Sequence, residues 1–156
     1  MTETTFENGK LIVTRTFDAP RALVFEAWVE TSKVEAWWGC DQTTAVRSEI
    51  EPRVGGKYNH DMTIDGKHEH PAHAVLTAFD PPEHLAYESA MPGSPVPMTV
   101  DVRFTEVDGG TQIVLTHAGI PDMEVDGGHK MCDIVSGGWT AAFRKLDAFL
   151  SAGAPS

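Results

Sequence analysis

From Met131 to Leu150 the apolar residues recur at intervals of three and four: Met131, Ile134, Val135, Trp139, Ala142, Phe143, Leu146, Phe149 and Leu150. That period belongs to an amphipathic helix of about 20 residues, and its stripe must be buried against something. Upstream the sequence offers mainly strands. Met98, Val100, Val102 and Phe104 alternate with Thr99, Asp101, Arg103 and Thr105, and Ile113, Leu115 and His117 share a second alternating face. A long apolar-striped helix covered by alternating strands is an α+β arrangement, with the sheet curved around the helix.

The remaining elements fit that frame. Lys10 to Phe17 reads as a first strand. Asp18-Ala19-Pro20 looks like a helix start, with Asp18 as cap and Pro20 in the first turn. Leu23, Val24, Ala27 and Trp28 follow at helical spacing, and Thr31 or Ser32 caps a second short helix carrying Val34, Trp37 and Trp38 up to Gly39. Strands are then expected over 43–50, 57–64, 73–79 and 85–89, before the two alternating ones, giving a sheet of about seven. Tyr58, His60, Met62 and Ile64 share one face of their strand, and Asp65-Gly66 is a hairpin signal. The sequence predicts one domain over 10–152, with residues 1–9 and 153–156 as loose ends.

Composition narrows the function. Twelve Lys and Arg against 23 Asp and Glu give a formal charge of −11, which disfavours nucleic acid and anionic membrane surfaces. No apolar run approaches the ~20 residues of a membrane span. The start, MTETTFENGK, shows no signal peptide, so a cytoplasmic protein with reduced thiols is expected.

Several chemistries lack their motifs. Val135-Ser136-Gly137-Gly138 lies in the helix and is no nucleophile elbow. Gly55-Gly56 has no phosphate-loop context. Cys132 reads as packing, and Cys40 has no neighbouring cation to favour a thiolate. His68-Glu69-His70 with His73 is the densest histidine group, but Pro71 interrupts it and it reads as an exposed polar loop. No metal or cofactor is therefore expected.

What remains points to a binding cavity between sheet and helix. His60 and His117 each sit in an apolar alternation, where a polar group either finds a backbone partner or orients a ligand. Tyr58, Met62, Met98, Val100, Val102, Ile113 and Leu115 would supply its sheet wall, and Val135 and Trp139 its helix wall. Gly137-Gly138 costs the helix roughly 1 kcal/mol per glycine relative to alanine, which calls for a close neighbour or for ligand space. Trp37 and Trp38 are adjacent, and adjacent helical residues, pointing about 100° apart, rarely share one stripe, although Trp37 fits that of Val34 at i+3 and Trp38 at i+4. One should anchor the junction of the short helices and the other border the cavity mouth.

The chain resembles a known family at many points in order. Phe17-Asp18-Ala19-Pro20-Arg21, Leu23-Val24-Phe25, Ala27-Trp28 and Trp37-Trp38-Gly39 resemble the opening of the activators of the ninety-kilodalton heat-shock protein ATPase. Gly55-Gly56-Lys57-Tyr58, Asp65-Gly66, Pro81-Pro82-Glu83-His84-Leu85, Gly110-Thr111, Leu115-Thr116-His117-Ala118-Gly119, Gly138-Trp139 and Leu146 continue the likeness. The resemblance implies the helix-grip fold, shared with birch-pollen allergens and START lipid-transfer domains. Its relatives make binding of a hydrophobic small molecule the first expectation. Two others follow in order: an enzyme or self-modifying resistance protein acting on an aromatic or polyketide-like compound, for which this chain's own His60 and His117 would be the acid-base candidates, and a protein-interaction role such as modulation of a chaperone ATPase. The family's co-chaperones use an additional N-terminal domain that is not expected within these 156 residues. A homodimer stands beside the chaperone as a macromolecular alternative.

Overall fold

The computed structural model describes residues 3–7, 10–39, 43–89, 97–120, 124–125 and 129–152. In chain order the elements are β1 (Glu3–Glu7), β2 (Lys10–Phe17), α1 (Arg21–Val29), α2 (Thr31–Val34), β3 (Thr43–Ile50), β4 (Tyr58–Ile64), β5 (His68–Ala72), β6 (Val75–Asp80), β7 (His84–Ser89), β8 (Met98–Val107), β9 (Gly110–Ala118), β10 (Glu124–Val125), β11 (His129–Lys130) and α3 (Met131–Ala152).

A six-stranded antiparallel sheet runs in the order β1-β2-β9-β8-β7-β6. Its centre is the pair whose alternation is clearest in the sequence. The register sets Val100 opposite His117, Val102 opposite Leu115 and Phe104 opposite Ile113, and all six side chains are buried. Directly opposed apolar pairs such as Val102–Leu115 and Phe104–Ile113 stabilise a sheet by about 0.2–1 kcal/mol each. The β8–β9 hairpin closes on Gly110, where an added Cβ would lie 2.3 Å from the Phe17 carbonyl oxygen. Beside it the buried Thr111 hydroxyl donates to the Ala19 carbonyl at 2.8 Å, tying the sheet to the start of α1.

The strands β3, β4 and β5 form a second antiparallel sheet. Asp65 and Gly66 both hold positive φ, 54° and 68°, at the β4–β5 turn, as the hairpin signal requires. The sheets meet at the base of β4, where Lys57 bridges Val75 and the Tyr58 amide donates to the Ala74 carbonyl at 2.9 Å. The large antiparallel sheet and the C-terminal helix together make the helix-grip fold.

α3 lies against β2. Leu146, Phe143 and Trp139 are among its buried residues, and Phe143 meets Phe17 edge-on at 5.7 Å. Arg15 on β2 pairs with Asp147 at 2.7 Å and fixes the helix along the strand. Lys145 reaches the Trp38 carbonyl at 3.2 Å from the same helix.

Several expectations change. Residues 3–7, expected within a loose end, pair with β2 as an edge strand. Residues 68–72, expected as an exposed loop, are the strand β5, with Pro71 opposite Asp61. Strand 73–79 begins two residues later, at Val75. Asp18 does not cap α1: Pro20 takes the cap position, with extended backbone and no side-chain cap bond. Glu30 rather than Thr31 or Ser32 takes it for α2, which ends at Val34, so Trp37 and Trp38 follow the helix in a turn. Cys40, most of the Pro-rich loop and residues 153–156 lie outside the described residues, as do the side chains of Met131, Cys132 and Ile134.

Candidate functional site

The turn after α2 sends the two adjacent tryptophans to different tasks. Trp37 is fully buried, donates its indole N–H to the Ala27 carbonyl at 2.9 Å, and packs on Trp28 at 4.8 Å. It is the anchor between α1 and the turn. Trp38 faces the sheet. Its ring stacks on His60 at 3.9 Å with 26° between planes, and it meets Trp139 edge-on at 5.6 Å.

Trp38 and Trp139 thus stand between two buried histidines. β4 carries His60, 1% exposed, with Nδ1 2.8 Å from the Ser48 hydroxyl on the neighbouring β3 strand. β9 carries His117, 7% exposed, and its Nδ1 accepts the Trp139 indole N–H at 3.0 Å. In both rings Nε2 is buried with no hydrogen-bond partner among the described residues. Burial alone disfavours the imidazolium, lowering the pKa of His60 to about 3 and of His117 to about 4. Both rings are neutral at pH 7. Tyr58 lies beside His60 at 4.5 Å and donates its hydroxyl to the Trp28 carbonyl at 2.8 Å. Burial pushes the Tyr58 and Tyr87 phenols up, so both stay protonated.

The other expected residues fall into two groups. Val100, Val102, Ile113 and Leu115 belong to the packed core with Trp37 and Tyr58. Met62, Met98 and Val135 are half-buried and pack against its edge. Among the described residues, nothing outside the helix's own local backbone lies within 4 Å of a Cβ built on Gly137 or Gly138. No close neighbour among the described residues explains this glycine pair. Gly137 is exposed and Gly138 half-buried, three residues from Val135 and next to Trp139.

Three residues were missing from the sequence-based site. Trp28 is the hub of the aromatic cluster, touching Trp37, Trp38, Trp139, Phe104 and Phe143. Ser48 holds His60, and Tyr87 packs on Tyr58 at 4.7 Å. Only the β3–β4 register could have revealed Ser48.

Among the described residues no three His, Cys, Asp or Glu side chains gather as a metal site. His73 pairs with Asp61 at 2.8 Å on the surface. An open groove of about 590 Å³ lies elsewhere, lined by Arg21, Asp80, Pro81, Glu83, His84, Arg103, Phe104 and Thr105. Its charges pair with one another or with neighbours: Arg21 with Glu83 and Glu106, and His84 and Arg103 with Asp101. It combines family-like residues from Arg21 and the Pro81-to-Leu85 run, though no ligand chemistry singles it out.

No helix among the described residues is long and apolar enough to cross a membrane. The fold is found in solved bacterial proteins. A protein from Nitrosomonas europaea matches with a TM-score of 0.79 at 18% identity, over 97% of this chain and 100% of that one. One from Arthrobacter aurescens matches with 0.79 at 20% identity, over 96% and 91%. One from Mycobacterium smegmatis matches with 0.74 at 20% identity, over 98% of each chain. These likenesses establish the fold. No curated protein matches the chain. The model of the family described as "Activator of Hsp90 ATPase homolog 1-like protein" matches residues 18–151, and the chain belongs to that family.

Proposed function

We propose that the protein binds an apolar small molecule between the sheet and α3, at the edge of the core where Trp38, Trp139 and the two histidines meet. One observation carries the reading. Two histidines, each more than nine-tenths buried, keep one ring nitrogen satisfied and leave the other without a partner among the described residues. A buried polar atom left unpaired costs about 1–3 kcal/mol, so its presence in an otherwise apolar wall calls for a partner from outside. The half-buried Met62 and Met98 are adaptable neighbours for such a guest. No described residue fills the side-chain position at Gly138, which offers room on the helix.

Orientation fits these histidines better than proton transfer. A general base works best with a pKa near the working pH. Groups lowered to about 3 and about 4 hold no proton at pH 7 and are weak bases there. They serve instead as neutral hydrogen-bonding groups.

The reading is tested by titrating the protein with the neutral fluorophore N-phenyl-1-naphthylamine. One saturable site is expected. Gly138→Leu should weaken it about 10-fold or more by filling the space, while Gly137→Leu, at an exposed position, should leave it intact. Absence of saturable binding, or equal binding by all three proteins, refutes the placement.

A further inference from the structure

The protonation pattern of His117 states what chemistry the guest must bring. A neutral imidazole has one N–H and one acceptor nitrogen, and a partner on one decides the other. An indole N–H can only donate. The Trp139 indole N–H points at Nδ1 of His117 from 3.0 Å, so Nδ1 is the acceptor and the ring proton sits on Nε2. The doubly protonated ring is excluded by the same contact, since it would set two donors head to head. His117 therefore presents a buried N–H with no acceptor among the described residues.

His60 is different. Its Nδ1 faces the Ser48 hydroxyl, which can donate or accept, so its own Nε2 is not fixed in either role. Selection accordingly rests on His117, with Trp139 as the positioning residue that holds the tautomer.

Resting on the binding reading above, we infer that the site selects an apolar molecule bearing a carbonyl-type oxygen that accepts a hydrogen bond from His117 Nε2. A hydrocarbon of the same shape would leave that N–H unpaired in the complex. A buried unpaired donor costs enough to separate the two by about 10-fold in affinity.

A matched pair tests this. In 2-acetylnaphthalene a ketone oxygen stands where 2-isopropenylnaphthalene has a methylene group. The wild type should bind the ketone about 10-fold tighter. His117→Phe should bind the two equally. Trp139→Phe should narrow the preference, because nothing then holds Nδ1 as the acceptor. Long-range proton–nitrogen NMR on the wild type should show His117 protonated at Nε2, and in Trp139→Phe a mixture of tautomers. Equal binding of both compounds by the wild type, a ketone preference that survives His117→Phe, or a proton found on Nδ1 overturns the inference. Binding of neither compound removes the binding reading itself, and the inference with it. The NMR result on the wild type stands even if a variant fails to fold.

Discussion

At the scale of single residues, the two histidines make stability depend on pH in a direction that can be worked out. Unfolded histidine titrates near 6.5. In the folded protein burial lowers His60 to about 3 and His117 to about 4. Between those values the unfolded chain binds protons that the native one refuses, so stability rises with pH and falls on acidification. Above pH 6.5 neither group contributes a penalty. Below it each contributes up to about 1.4 kcal/mol per pH unit, until its folded pKa is reached. His60→Phe keeps a ring against Trp38 and removes one proton site. Urea denaturation from about pH 7.5 down to about pH 4.5 should therefore give a wild-type slope steeper by about 1 kcal/mol per pH unit than the variant's. Parallel slopes would mean that His60 takes up a proton in the folded state. The positions of both histidines were legible in the sequence, because strand alternation alone puts them on the inner face. Their partners were not. Ser48 and Trp139 are separated from them by 12 and 22 positions, and such contacts are decided by register and helix docking.

At the scale of elements, periodicity predicted most strands within a residue or two, and it failed where a local signal pointed the wrong way. Pro71 argued against a strand over 68–72, yet β5 pairs on one side only, with β4. An edge strand tolerates proline because the missing N–H faces away from the ladder. Polar Glu3–Glu7 gave no alternation to read, and it too is an edge strand. The helix caps failed for another reason: the chain enters α1 and α2 through extended residues that make no side-chain cap bond. The glycine pair in α3 is anomalous in a helix interior, and no neighbour among the described residues accounts for it. Among the described residues no atom beyond the local helix backbone approaches the Cβ positions, and neither glycine has a positive φ. Alanine fits at both sites without strain. Gly137→Ala and Gly138→Ala should each stabilise the protein by roughly 0.5–1 kcal/mol, measured by thermal or urea unfolding. A loss of stability at either would reveal a neighbour to α3 at that point. With Gly138→Leu weakening the probe, Gly138 would be a position where helix stability is given up for ligand space.

At the scale of the whole molecule, the formal charge of −11 acts on any guest before contact. Among the described residues Lys145 is a cation close to the site, with its ammonium donating to the Trp38 carbonyl at 3.2 Å. The two effects differ in range. At about 20 mM salt the Debye length exceeds 20 Å, so most of the protein's charge is felt at the site; at about 500 mM it shrinks to roughly 4 Å and only close neighbours count. Neutral His60 and His117 add no positive charge at pH 7. The neutral probe N-phenyl-1-naphthylamine should therefore bind with a dissociation constant nearly independent of salt. Its sulfonated relative 1-anilinonaphthalene-8-sulfonate should bind more weakly at low salt and tighten several-fold as salt rises. If the sulfonate instead binds tightest at low salt, Lys145 outweighs the net charge. The natural guest would then be an acid, with its carboxylate toward Lys145 and its apolar body against Trp38 and Trp139. Repeating the titration with Lys145→Met, which keeps the length of the side chain and removes its charge, separates the two outcomes. Under net-charge control the salt dependence persists in the variant, and under Lys145 control it reverses.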